Sequence, residues 1–214
     1  FVNFEKNDFW NLLPVVANAL DDPIIDYATV PTYKLAQAAK NDLKVVLSGE
    51  GGDEIFAGYG RYRASKRTFF KKEIFKNGAF KKFKYFDDVL SGWDFEIKQY
   101  KIRNMTQRFT ELQKNQLLDF DNWLPNDLLI KLDRCLMANG LEGRTPLVDK
   151  KIFQSFFLIN DNLKIKNGLG KYFIREFINK KLKFYKAFEK KRGFTVPINK
   201  WIPEKSKTLE NILP

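Results

Sequence analysis

Apolar positions recur at helical spacing along most of this chain. Phe9, Leu12, Leu13, Val16, Ala17 and Leu20 follow an i, i+3, i+4, i+7, i+8, i+11 pattern that marks a helix buried on one face. Pro14 fits only the first turn of such a helix, which puts the start near Asn11, and Asp21-Asp22-Pro23 stops it. A second helix opens at Pro31, a favourable first-turn residue, and runs through Leu35, Ala36 and Ala39 to Asn41. The period then changes. Lys44-Val45-Val46-Leu47 is β-branched and apolar, the one convincing buried strand of the chain. It runs directly into Ser48-Gly49-Glu50-Gly51-Gly52-Asp53-Glu54, and helical spacing resumes at Ile55.

Residues 64–86 interleave aromatics with cations, among them Lys66, Phe69, Lys71, Lys72, Phe75, Phe80, Lys81, Lys82 and Phe83. Such a stretch suits single-stranded nucleic acid through stacking and phosphate contacts. An amphipathic helix pair, with Phe inward, Lys in solvent and a turn at Gly78, accounts for the same spacing more simply. Farther on, Asp127 is placed to cap a helix bearing Leu128, Leu132, Cys135, Leu136 and Asn139, closed by Gly140. Residues 151–159 read as an apolar helix. A loop with Gly168 and Gly170 precedes another, in which Phe173, Phe177 and Ile178 face inward. No internal repeat or low-complexity linker interrupts the chain. One strand among several helices is too little sheet for an α/β domain, because a buried parallel strand needs neighbours on both sides. The rest of the sheet is expected upstream of these residues.

Length and composition narrow the chemistry. The 214 residues make one large or two small domains at roughly 100–200 residues each. With 44% hydrophobic and 30% charged residues the chain is neither a disordered tail nor a membrane span. Its first residues carry no signal-peptide pattern, and Phe1 stands where an initiator Met would, which suggests processing or a piece of something longer. The absence of His removes Ser-His-Asp and Cys-His nucleophilic machinery and His-ligated zinc. A single Cys permits no internal disulfide or Cys-rich metal cluster and fits a reducing compartment. The net charge of +12 suits a polyanion such as nucleic acid, an anionic surface or a nucleotide, although Lys-rich compositional drift explains it as well.

Ser48 to Glu54 is the chemical centre. A buried strand, a Gly-rich turn and a helix in succession put several backbone N–H groups at the carboxyl end of a sheet, an arrangement that binds phosphate. The run is neither a Walker P-loop nor a dinucleotide fingerprint, because the required Gly and Lys spacings are missing. It adds three carboxylates, Glu50, Asp53 and Glu54, crowded beside the anion site. Carboxylates tolerate phosphates when Mg²⁺ lies between them. Complementing a helix N-terminus is the plainer use of Asp53 and Glu54. Taken alone, the loop supports both accounts equally.

Four ordered segments resemble the C-terminal synthetase domain of the asparagine synthetase family. Leu47-Ser48-Gly49-Glu50-Gly51-Gly52-Asp53-Glu54-Ile55-Phe56-Ala57-Gly58-Tyr59 is similar to the family's Leu-Ser-Gly-Glu-Gly-Ser/Ala-Asp-Glu-(apolar)-Phe-Gly-Gly-Tyr run. Leu132-Asp133-Arg134, Met137-Ala138 and Leu141 to Asp149 resemble Asp-Arg-x-x-Met-Ala…Leu-Glu-x-Arg-x-Pro-Phe-Leu-Asp. Lys171-Tyr172-Phe173-Ile174-Arg175 matches Lys-Tyr-(apolar)-(apolar)-Arg, and Lys190 to Pro197 with Trp201 matches Lys-Lys-Arg-Gly-Phe-x-Val-Pro…Trp.

The resemblance implies an α/β fold of the ATP pyrophosphatase (adenine nucleotide alpha hydrolase-like) type, represented here by a mostly helical C-terminal part with little of the parallel sheet. It divides the chain into 1–63, the end of the nucleotide-binding sheet with its loop; 64–127, a variable basic helical region; and 128–214, a C-terminal helical region. It also implies an ATP- and Mg²⁺-dependent, cytoplasmic ligase. Such an enzyme adenylates the aspartate side chain with release of pyrophosphate, then admits ammonia from glutamine to give asparagine and AMP. A glutaminase domain on the same chain and a homodimer belong to the same expectation; nucleic acid and membrane partners do not. Carried over by position, Ser48 and Gly49 contact the nucleotide, Glu50 serves acyl-adenylate formation and the amine, Asp53 ligates Mg²⁺, and Lys171 stabilises the departing pyrophosphate. This division fits the chemistry, since the leaving group gathers charge that a metal and a lysine neutralise. Arg144 reads as structural, paired with Glu142, Asp149 or Asp133, and Cys135 as core.

The sequence departs from the family pattern in places. Ala57 stands for a usual Gly, Gly143 and Thr145 are unusual in their motif, and Leu147-Val148 replaces Phe-Leu. The family's first nucleotide loop, Ser-Gly-Gly-x-Asp-Ser, and its glutaminase domain with a terminal Cys do not occur in these residues. An N-terminally truncated chain, inactive by itself, is therefore expected. An amidotransferase acting on another carboxylate, such as a sugar acid or a lactam-forming substrate, and a catalytically silent fragment are the alternatives.

Overall fold

A computed structural model describes residues 1–21, 24, 26–65, 109–189 and 196–201. The basic-aromatic stretch at 66–86 and the Lys190–Thr195 part of the last motif lie outside the described residues. The chain forms two compact units, each discontinuous in sequence: residues 1–48, 126–144 and 190–214 in one, 49–125 and 145–189 in the other.

The first unit is built on α1 (Lys6–Leu20), α2 (Thr29–Ala39) and α6 (Ile130–Met137), which pack on one another. α1 starts earlier than its Pro14 suggests, and the proline lies inside the helix. Two things offset the hydrogen bond that Pro14 cannot donate. The Glu5 N–H donates to Asp8 Oδ2 at 2.8 Å, tying the start of the helix. Phe9 and Val16, on either side of the proline, are both buried in a cluster with Val30, Tyr33, Cys135 and Val196. Trp201, which ends α10 (Ile198–Trp201), packs its ring 5.6 Å from Phe9. α2 opens two residues before Pro31, after a turn in which Asp26 Oδ1 accepts from the Ala28 N–H at 2.9 Å. Asp26 also holds the buried Lys131 at 2.7 Å. Cys135 is core, as expected, with no exposed surface and burial pushing its thiol up to about 12.

β1 (Val45–Leu47) pairs in parallel with β2 (Glu142–Arg144), Val45 opposite Glu142 and Leu47 opposite Arg144. Two expectations change here. β1 is not a buried strand: Val45 and Leu47 are exposed, and only Val46 packs inward, against the cluster of Ala36, Leu132, Leu136 and Leu141. The Glu-Gly-Arg of β2 gives no strand signal, having no β-branched or aromatic residue. Gly143 allows this pairing, because a Cβ there would sit 2.6 Å from Leu136 Cδ1. Arg144 pairs with Glu142 at 2.8 Å, on the surface.

Asp127 caps nothing in the expected way. It lies buried inside a π-helical stretch, Asp119–Leu129, that carries Pro125 and continues straight into α6. With no chain break at Leu128 there is no free helix start for it to cap.

In the second unit, α3 (Gly52–Ile55) and α4 (Gly60–Ser65) follow the Gly-rich loop, and α5 (Glu111–Leu118) is opened by a Thr110–Gln113 capping box. A 3₁₀ turn at Pro146–Val148 leads to α7 (Lys150–Phe157), whose N-terminus Asp149 caps through the Lys151 and Ile152 N–H groups. α8 (Asp161–Lys164) and α9 (Tyr172–Lys181) complete the unit. Ala57, Tyr62, Leu112 and Ile165 form its core cluster, and Phe156 bridges Phe56 and Phe173 at 5.1 and 5.4 Å between ring centroids. Phe177 corrects a further expectation: it is 51% exposed, and the side of α9 turned toward the protein carries the half-buried Phe173, Ile174 and Ile178. No described helix is long and apolar enough to cross a membrane. The architecture is a mostly helical α/β arrangement with a small parallel sheet among the described residues.

Candidate active site

The loop after β1 turns on glycine geometry. Gly51 has φ +85°, and a Cβ there would lie 2.9 Å from Val148 Cγ2, so both backbone and space call for glycine. The turn delivers α3, in which the Ile55 N–H donates to the Gly51 carbonyl at 2.9 Å. Asp53 sits in its first turn. The chain then bends at Ala57, φ +57°, and the Gly58 N–H returns to the Asp53 carbonyl at 2.8 Å. Ala57, which the sequence pattern sets in place of a glycine, takes a left-handed backbone of the kind that favours glycine.

Lys171 arrives from the far side of the sequence. Its N–H donates to the Phe56 carbonyl at 2.9 Å, and its backbone is left-handed at φ +58°, just ahead of α9. Gly170 before it packs against Ala57, where a Cβ would meet the carbonyl oxygen at 2.2 Å. Arg175, one turn into α9, holds this approach: Nε donates to the Gly170 carbonyl at 3.1 Å, and Nη1 to the Ala187 and Glu189 carbonyls at 2.5 and 2.9 Å. The result is an ion pair, Lys171 Nζ to Asp53 Oδ1 at 3.2 Å, with both side chains largely shielded.

Of the residues singled out from sequence, the structure brings Asp53 and Lys171 together. Glu50 is half-buried in the same unit, and Gly49 is exposed, with nothing within 4 Å of where a Cβ would stand. Ser48 belongs to the first unit, where its N–H extends the sheet ladder to the Arg144 carbonyl at 2.8 Å. The expected trio of carboxylates does not form. Glu54 turns inward, 1% exposed, and accepts from the Tyr59 hydroxyl at 2.5 Å. Burial raises the Glu54 carboxyl above its ordinary range, the Tyr59 bond opposing this only in part. The Tyr59 ring in turn lies 4.0 Å from the Arg61 guanidinium, and Arg61 and Tyr62 both donate to the buried Asp119. Tyr59, Tyr62 and Asp119 are all pushed up, first by burial.

Gln116 and Lys164 support the site yet gave no signal in the sequence. The Gln116 amide donates to the Glu54 and Ile55 carbonyls at 2.6 and 2.7 Å and accepts from Lys164 at 2.8 Å. A glutamine and a lysine 48 positions apart form no motif, and Gln116 is one of several polar residues that its short helix buries.

Chemically, the pair suits an anion with a metal. Among the described residues no three His, Cys, Asp or Glu side chains gather into a metal-holding set. Mg²⁺ does not need one, since it keeps several waters and takes one or two carboxylates together with phosphate oxygens. An Asp53 oxygen next to a cation able to hold phosphate fits that habit.

Comparison with known proteins shows the family. The family model described as Asparagine synthase matches residues 1–213. An asparagine synthetase [glutamine-hydrolyzing] 1 of Bacillus subtilis is 30% identical over 250 residues, covering 96% of this chain and 39% of that protein. A putative asparagine synthetase [glutamine-hydrolyzing] of Mycobacterium bovis is 28% identical, covering 92% of this chain and 36% of its own length. A 56-residue stretch, 26% of this chain and 11% of the relative, is 45% identical to putative asparagine synthetase [glutamine-hydrolyzing] 2 of Methanocaldococcus jannaschii. The chain thus spans well under half the length of the first two relatives.

Proposed function

The chain belongs to the asparagine synthase family, and from that we propose that it carries part of the active site of an ATP-dependent amide-forming ligase. The observation that carries this reading is the Asp53–Lys171 ion pair at 3.2 Å, formed by the two residues to which the sequence resemblance assigns the metal and the pyrophosphate. In the reaction so proposed, the aspartate side-chain oxygen bonds to the α-phosphorus as the α–β phosphoanhydride bond breaks. Ammonia then displaces AMP to leave the amide. Mg²⁺, when bound, supplies screening of the phosphate charge. Asp53 would hold that ion, and Lys171 would hold the pyrophosphate oxygens as their charge grows. Gly58 leaves room for both side chains, because a Cβ there would overlap Asp53 Oδ1 and crowd Lys171 Cε. Glu50, half-buried in the loop, is the carboxylate proposed to take the proton that the attacking amine must shed. Ser48 and Gly49 are proposed nucleotide contacts, glutamine the source of ammonia, and a glutaminase domain the partner.

Aspartate-dependent exchange of pyrophosphate into ATP, measured in a chain carrying the family's complete synthetase region, tests the reading. Asp53→Asn and Lys171→Met should each remove the exchange. Exchange supported by a sugar acid and not by aspartate would move the proposal to another amidotransferase, and exchange indifferent to both substitutions would end it.

A further inference from the structure

Lys164 ends α8 with its side chain only 1% exposed, so its amine must find acceptors inside the protein. Nζ donates to Gln116 Oε1 at 2.8 Å and to the Phe157 carbonyl at 2.5 Å, and lies 5.2 Å from the centre of the Phe157 ring. Gln116, itself 1% exposed, donates from Nε2 to the Glu54 carbonyl at 2.6 Å and to the Ile55 carbonyl at 2.7 Å. These carbonyls end α3, the short helix bearing Asp53, and helix-terminal carbonyls have no partner within their own helix.

A glutamine amide donates from one end and accepts at the other, whereas an ammonium only donates. Lys164 therefore admits one orientation of Gln116: oxygen toward Nζ, amine toward α3. The reversed amide would set its oxygen against two carbonyl oxygens and its amine against a cation. Lys164 also begins the segment that delivers the other half of the ion pair. From it the chain passes through buried Ile165 and the Lys166–Leu169 bridge to Gly170, packed on Ala57, and to the Lys171 N–H on the Phe56 carbonyl.

We infer that Lys164 is a positioning residue for the Asp53–Lys171 site, acting through the orientation of the Gln116 amide on the backbone of α3. Its purpose rests on the ligase reading above; its geometry does not. Amide hydrogen exchange on the ligand-free 214-residue chain tests it. In Lys164→Met and in Gln116→Met, the amides of Ile55, Gly58 and Lys171 should exchange about tenfold faster than in wild type, with those of α2, such as Tyr33, unchanged. The double variant should exchange no faster at those amides than Gln116→Met alone, because one route carries the effect. Unchanged rates at Ile55, Gly58 and Lys171, or a uniform acceleration that includes α2, would overturn the inference. A parallel titration with inorganic pyrophosphate and Mg²⁺, on a chain carrying the family's complete synthetase region, separates the two readings. If the exchange pattern holds but that chain binds no pyrophosphate, the ligase reading fails and the positioning role stands.

Discussion

The place where a Gly58 side chain would begin is taken by Asp53: a Cβ there would lie 1.7 Å from Asp53 Oδ1, and 2.4 Å from Lys171 Cε. The close pass of this backbone is what allows the ion pair to form against it. Gly58→Ala should therefore push the two side chains apart and destabilise the second unit by about 1–3 kcal/mol, as overpacking does. Urea unfolding, with pyrophosphate titration on the folded variant, reads both effects, and an unperturbed variant would show that the contact yields easily.

Arg175 ties Gly170, ahead of Lys171, to the carbonyls of Ala187 and Glu189. A lysine has no planar fork to reach all three. Arg175→Lys should cost about 1–3 kcal/mol in unfolding free energy, and it should lower pyrophosphate affinity through the displaced Lys171. Equal stability and affinity in the variant would contradict this.

Asp53 stands out in the sequence as one of three loop carboxylates and Lys171 through the family resemblance, and the fold joins the two in an ion pair. What could not be read was set by contacts between distant segments. Glu54 looked like a third site carboxylate until Tyr59 and burial drew it inward. Phe177 has the helical spacing of a core residue but lies on the exposed face of α9. Pro14 looked like a helix start, yet burial of Phe9 and Val16 on both sides carries the helix across it. β2 forms from Glu142-Gly143-Arg144 because β1 offers it a ladder, not because those residues favour strands.

Glu54 gives a pH signature. Burial raises its carboxyl above the usual 4.5, so the folded chain holds that proton more tightly than the unfolded one. Stability from this group is present at acid pH and is lost as pH rises through the folded value. Glu54→Gln, which can still accept from Tyr59, should therefore gain stability relative to wild type as pH rises from 4.5, read by urea unfolding. A difference that is flat with pH, or of opposite slope, would contradict the assignment.

Lys164 gives the opposite slope at the other end of the scale. Burial pushes its ammonium down from 10.5 to about 8, so in this window the unfolded chain binds more protons. Wild type should gain stability relative to Lys164→Met as pH rises from about 8 to 10.5. Parallel pH profiles for the two proteins would show that Lys164 does not titrate as its burial requires.

The central claim is that Asp53 and Lys171 form one site for a metal-bound pyrophosphate. Isothermal titration with inorganic pyrophosphate of a chain carrying the family's complete synthetase region tests it most directly, with and without Mg²⁺ and in wild type, Asp53→Asn and Lys171→Met. The account predicts Mg²⁺-dependent binding that weakens about tenfold or more in Lys171→Met, as loss of a charge-assisted contact requires. It also predicts that binding loses its Mg²⁺ dependence in Asp53→Asn. No binding by wild type, or binding that ignores both substitutions, would contradict it.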